Sequence, residues 1–231
     1  MVAERCGKVR CIGRDFVEAV RKIALMPLDW PALIIGLLTG AYWGRVIKLV
    51  FKTKRTTGKA GNFWPAERLG QVLRVIWYPT VIAWIVWPLI KAWTVQESTL
   101  TQPLYENWII RCSALGVALV AYWLTLICWR KMGTSWRMGI DPNEKTQLIV
   151  TGPYAYVRHP IYTLQAVIML ASLAAVPSIF MAIIAVLLIA LLYWEARREE
   201  QYLLRTHGPV YGRYLSAVGR FIPKSASPAQ L

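Results

Sequence analysis

The stretch IYTLQAVIMLASLAAVPSIFMAIIAVLLIALLYW, residues 161–194, holds two apolar runs, 161–176 and 178–194, divided only by Pro177. Each is close to the roughly 20 residues that a helix needs to cross the hydrocarbon core of a bilayer. A connection this short forces the two helices into an antiparallel hairpin, which returns the chain to the side from which it entered. Working outward, three further runs stand at 31–51, 71–93 and 107–129. Arg45 and Lys48 lie close enough to the end of the first to snorkel toward headgroups. Trp77, Tyr78, Trp84, Trp87 and Trp93 make the second grade into an interfacial belt. The expectation is an all-α integral membrane bundle of about five transmembrane helices.

Composition agrees. Of 231 residues 56% are hydrophobic, 12 are tryptophan, and the mean hydropathy is +0.40, too apolar for an ordinary soluble domain. The formal net charge is nevertheless +15. Because the basic residues flank apolar spans, they fit anchoring against anionic lipid better than binding to nucleic acid. Cys6, Cys11, Cys112 and Cys128 form no CxxC pair and lie far in sequence from His159 and His207, so no metal site is expected. Cys112 and Cys128 read as small apolar residues inside a span. Residues 1–30 form a basic segment without the apolar core of a cleaved signal. Residues 31–132 form three transmembrane helices, and 133–231 a separate half carrying a loop, the hairpin and a C-terminal flap.

The loops holding Lys52, Lys54, Arg55, Lys59 and Arg68, and Arg130, Lys131, Arg137, Lys145 and Arg158, are assigned to the cytoplasm by their positive charge, as is the C-terminal tail. Five spans then put the N-terminus outside, whereas Arg5, Lys8, Arg10, Arg14, Arg21 and Lys22 argue that it is inside. Beyond Trp194, EARREEQYLLRTHGPVYGRY reads as a continuing cytoplasmic amphipathic helix, broken at Gly208-Pro209 and followed by a short helix. GRFIP, residues 219–223, reads as ordered and extended, and SASPAQL as a frayed tail.

Immediately before the hairpin stands GPYAYVRHPIYT, residues 152–163. Pro160 biases His159 away from helical geometry and itself suits the first helical position, which places Arg158 and His159 at a helix N-terminus, an end suited to a carboxylate or phosphate. Immediately after the hairpin come Glu195, Glu199, Glu200 and Tyr202. The hairpin brings these acids to the depth of Arg158 and His159. Arginine, histidine, carboxylates and aromatic rings gathered at one membrane face could hold a zwitterionic cofactor such as S-adenosyl-L-methionine.

GPYAYVRHPIY, followed by EE, then L, G and Y, and finally RFIP, resembles the isoprenylcysteine carboxyl methyltransferase family and its relatives among integral-membrane methyltransferases. The likeness includes the lead-in MGTSWRMGIDPNEKTQLIVTGPY and covers the C-terminal hundred residues or so. It implies methyl transfer from S-adenosyl-L-methionine to a lipophilic small-molecule or prenylated acceptor that enters from the bilayer, with the active site facing the cytoplasm. The resemblance puts His159 and Tyr162 against the cofactor, with Gly152 and Tyr154 shaping the loop. It gives Glu199 or Glu200 the cofactor's amino group, and Arg220 and Pro223 the closing of the pocket. Arg158 and Glu199 are the candidate catalytic residues, Arg158 orienting an acceptor carboxylate or completing an ion pair with the acids. Two departures, His207 for an aromatic residue and Gly219 for proline, fall in the C-terminal flap. An NADPH-dependent sterol or steroid reductase shares a related C-terminal half and is the alternative enzyme; a non-enzymatic membrane scaffold is the third reading.

Overall fold

A computed structural model describes residues 28–58, 64–65, 68–94, 98–137 and 147–225. The basic segment before residue 28, Lys59, all of residues 138–146, Lys145 among them, and the SASPAQL tail beyond Ser225 lie outside the described residues. Among the described residues there are six α-helices: α1 (Trp30–Thr57), α2 (Arg68–Lys91), α3 (Trp108–Met132), α4 (Pro160–Ala175), α5 (Ile179–His207) and α6 (Pro209–Ala217). Four of them, α1, α2, α3 and α5, are long and apolar enough to cross a membrane. That marks an integral membrane protein. Large apolar side chains face outward along them, among them Leu37, Ile82, Trp123 and Val186, which in lipid costs nothing that water would charge for.

The spans read from sequence thus include one that falls short. With 16 residues α4 is about 24 Å long, less than the roughly 30 Å of hydrocarbon. It still traverses the bundle. Its far turn, Val176 to Ser178, is buried beneath the loop that precedes α3, where Leu104 N–H donates to Pro177 O at 2.9 Å and Phe180 N–H to Leu100 O at 2.9 Å. A short helix suffices because protein, rather than lipid, covers the end.

Caps at that far end are made by the residues the sequence supplies. Asp29 accepts from Ala32 N–H at 3.1 Å, Asn107 from Ile110 N–H at 3.1 Å, and Ser178 from Met181 N–H at 3.2 Å. Arg111 joins three elements there, pairing with Asp29 at 2.5 Å and donating from Nε to Ala175 O at 2.8 Å. The start of α1 also meets the end of α2, through Asp29 N–H to Ala92 O at 3.2 Å. So α1 begins at the far end, and the start of α4 and the end of α5 meet at the opposite one. The core between them centres on Tyr42, whose ring contacts Trp43, Trp84, Tyr122 and Trp129 at 5.1–6.4 Å between centroids.

Candidate active site

Gly152 opens a short 3₁₀ turn, Gly152–Ala155, with φ +67°, a left-handed conformation that suits glycine. The turn leads into an extended pair of residues that the C-terminal segment matches. Val157 and Gly219 form a parallel bridge; Arg158 N–H donates to Gly219 O at 2.8 Å and His159 N–H to Arg220 O at 3.1 Å. Thr163 Oγ1 adds a bond to Phe221 O at 3.1 Å, and Tyr214 Oη one to Tyr154 O at 2.6 Å. The two prolines and the glycines therefore serve one purpose, which is to present an extended edge just before α4 for residues 219–221 to close on.

This pairing corrects one sequence expectation. The amides of Arg158 and His159 bind the C-terminal segment, and Pro160 has no N–H. The helix start keeps only Ile161 and Tyr162 as amides without an intrahelical partner, so it is a poorer anion site than the sequence suggested.

Glu200 sits at the centre of the charges. Arg158 donates to it from Nε at 2.9 Å and Arg220 from Nε and Nη2 at 3.0 and 2.7 Å. His159 Nε2 lies 3.4 Å from the same carboxylate, too poorly aligned for a hydrogen bond. Arg158 is further fixed by the carbonyls of Leu215, at 2.9 Å, and Val218. Of the two roles open to Arg158, an ion pair with the acids is the arrangement present. Hydrogen bonds to Glu200 raise the Arg220 guanidinium above its ordinary pKa, so this clasp stays charged.

Glu199 differs from its neighbour. Its side chain is 33% exposed, and Oε2 lies 3.6 Å from His159 Nδ1. Together with Tyr154, His159, Tyr162, Trp136 and Arg137 it lines a small cavity of about 60 Å³. His159 and Tyr162 stack face to face there, 5.4 Å apart and within 1° of parallel. Burial pushes the Tyr154 hydroxyl above the usual tyrosine range, so it stays protonated; that hydroxyl and His159 Nε2 are buried without a hydrogen-bond partner. Arg220 lies over the Tyr193 ring at 5.3 Å, and Tyr193 meets Phe221, so residues 220–221 cap the outer side. Pro223 is exposed and Gly152 stands against the Lys131 side chain. Of the expected site residues, Tyr154, Arg158, His159, Tyr162 and Glu199 share the cavity, while Glu200 and Arg220 form the wall behind it.

Glu195 does not join them. It lies 3.6 Å from Arg74 of α2 and also pairs with Arg198, all three largely buried. Arg74 had a legible signal, an arginine within an apolar span. Trp136 and Arg137 stand in the lead-in that the family likeness includes, although the sequence gives them no role. Among the described residues no group of three or more His, Cys, Asp or Glu side chains is placed to hold a metal ion. Cys128 is buried, whereas Cys112 is exposed on the outward face of α3.

Residues 114–205 match the isoprenylcysteine carboxyl methyltransferase (ICMT) family. The ICMT match takes in most of α3, all of α4 and nearly all of α5, and so contains Arg158, His159, Glu199 and Glu200. The chain is also similar to a nickel-cobalt-cadmium resistance protein, NccN, of Alcaligenes xylosoxydans xylosoxydans, with 30% identity over 111 residues, 48% of this chain and 52% of the relative. The chain thus spans about half the length of that curated relative. The clasp residue Arg220 lies beyond the ICMT match, and α1 and α2 lie before it.

Proposed function

We propose that this protein is an integral-membrane methyltransferase that uses S-adenosyl-L-methionine and methylates a lipophilic acceptor at the cytoplasmic face. The observation that carries the reading is the clasp. Three elements distant in sequence, residues 152–163, the Glu199–Glu200 pair and residues 219–221, are locked by Glu200 and its two arginines around one cavity in the segment that matches the ICMT family. The domain division read from sequence follows, with residues 133–231 as the cofactor-binding half.

The cavity's polar groups fit the amino-acid end of that cofactor. Glu199 is the carboxylate at its wall that Arg158 and Arg220 do not neutralise, and it suits an ammonium. The protonated Tyr154 hydroxyl and the Ile161 and Tyr162 amides suit a carboxylate, and the stacked His159–Tyr162 pair and Trp136 offer aromatic faces to the sulfonium and the base. At about 60 Å³ the enclosed part admits that end alone, leaving the nucleoside toward the open side. When bound, S-adenosyl-L-methionine supplies a methyl group already activated by its sulfonium. The chain's own residues then hold and align, and the bundle excludes water. Arg158 acts as a positioning residue through Glu200 and the C-terminal segment, and Glu199 is the binding acid.

Membranes containing the protein, incubated with S-adenosyl-L-methionine labelled in its methyl group, should transfer label to an organic-extractable lipid fraction, and Glu199→Ala should abolish that transfer. No label above that of membranes without the protein, across a range of added lipid extracts, would remove the reading.

A further inference from the structure

The far end of the bundle holds a larger cavity, of about 340 Å³, among the start of α1, the end of α2, the start of α3 and the turn from α4 to α5. Val176 lines it and Pro160 lines the cavity beside Glu199, so the 16 residues of α4, about 24 Å, separate the two. Trp93 and Trp108 also line it, and both are more than half exposed. Exposed tryptophans at the ends of apolar helices mark the depth of lipid headgroups. The cavity therefore lies at headgroup depth, on the membrane face opposite the Glu199 site.

Among the described residues four charged ones line it: Asp29, Lys91, Glu106 and Arg111. Asp29 is already neutralised, because Arg111 Nη2 donates to both of its carboxylate oxygens. Arg111 uses Nε on Ala175 O, while Nη1, with two N–H donors, bonds to none of the described groups. Lys91 adds a second cation. Glu106 is an exposed carboxylate that forms no ion pair among the described residues. The helix starts at this end are capped by Asp29, Asn107 and Ser178, so the charged side chains rather than the helix ends decide what can bind.

A simple anion would meet Glu106 as a like charge, and a simple cation would meet Lys91 and Arg111. A phosphate diester that carries an ammonium suits both sets: its oxygens accept from the lysine and arginine, and its ammonium donates to Glu106. The indoles of Trp93 and Trp108 suit the same cation. Apolar surface adjoins these charges. Val176 and Pro177 line the cavity, and Ile90 and Ile109, next in sequence to Lys91 and Trp108, are exposed on the outside of the bundle. That surface favours a head attached to acyl chains over a soluble one.

We propose that this far cavity binds the head of a zwitterionic phospholipid, a phosphoethanolamine on diacylglycerol, in the leaflet opposite the proposed active site. Lys91 and Arg111 hold the phosphate and Glu106 the ammonium. At about 24 Å from the Glu199 cavity this lipid is a bound component of the bundle and not the methyl acceptor. The assignment does not rest on the methyl-transfer reading.

Native mass spectrometry of the full chain in detergent tests it, with dioctanoyl phosphatidylethanolamine, dioctanoyl phosphatidylglycerol, which lacks the ammonium, and free O-phosphoethanolamine as probes. The first should bind saturably and about fivefold more tightly than the second, the scale of one partly exposed ion pair. Glu106→Gln, at an exposed position, should abolish that preference without weakening phosphatidylglycerol. Lys91→Gln should weaken both lipids, and Glu199→Ala, at the other face, should change neither. Equal binding of the two lipids, a preference that survives Glu106→Gln, or one that disappears in Glu199→Ala would overturn the proposal. Binding of free O-phosphoethanolamine as tight as that of the lipid would overturn the lipid as its source and assign the cavity to a soluble zwitterion; much weaker binding of the free head is the result expected.

Discussion

Glu200→Gln isolates the clasp, because it keeps the shape of the side chain and removes its charge. In the native site one carboxylate accepts from Arg158 at 2.9 Å and from Arg220 at 3.0 and 2.7 Å. The amide leaves two guanidinium groups facing a neutral side chain, and its NH₂ end points another donor at one of them. Removing one partner of a buried ion pair costs about 3–5 kcal/mol. Arg158 is buried at 7% side-chain exposure, but Arg220 is 27% exposed and partly solvated, so the lower end, about 3 kcal/mol, is the appropriate figure. At 1.4 kcal/mol per tenfold, local opening of the C-terminal segment should rise roughly a hundredfold. Hydrogen exchange reads this directly, since the Arg158 and His159 amides bond to Gly219 O and Arg220 O. Peptides covering those amides should lose about two orders of magnitude of protection, while peptides from the middle of α3 keep theirs. Unchanged protection at Arg158 and His159 would refute the clasp as the element that holds this segment.

Other expectations follow from single positions. A Cβ at Gly219 would lie 1.8 Å from the Ile222 carbonyl oxygen, so Gly219→Ala should open the same edge and lose S-adenosylhomocysteine binding; a native titration curve would contradict it. Cys128 is buried and Cys112 faces outward, so the double Cys112→Ala, Cys128→Ala variant should retain transfer activity within about twofold, and loss of cofactor binding in a folded protein would show a role for one of the thiols. With Cys6 and Cys11 replaced by alanine as well, a cysteine at exposed Ser216 should react with an impermeant reagent only from the cytoplasmic side. Labelling of intact cells from outside would reverse the proposed orientation.

Much of this arrangement is legible in the sequence where local rules act. Pro177 between two apolar runs announces the hairpin, His159-Pro160 marks the start of α4, Gly208-Pro209 the break after α5, and the polar residues at both lips of the hairpin announce the site. What is hidden depends on rotation about helix axes. In a soluble helix the polar face shows which side turns outward, but helices bounded by lipid are apolar all round, so nothing in the pattern of α1 or α2 turns Trp43 and Trp77 inward together. The choice between Glu199 and Glu200 is hidden for the same reason, since a rotation of about 100° per residue separates a cavity wall from a buried ion pair. The use of the Arg158 and His159 amides by residues 219–220 is a pairing across some sixty residues, and local geometry at the helix start carries no trace of it.

Calorimetric titration of the detergent-purified protein with S-adenosylhomocysteine, repeated with NADPH and with Glu199→Ala, tests the proposed cofactor site most directly. Saturable binding of S-adenosylhomocysteine, absence of NADPH binding, and at least a tenfold loss in Glu199→Ala are the expected results. Binding of NADPH alone would assign the cavity to a reductase, and undiminished S-adenosylhomocysteine binding in Glu199→Ala would contradict the role given to that carboxylate.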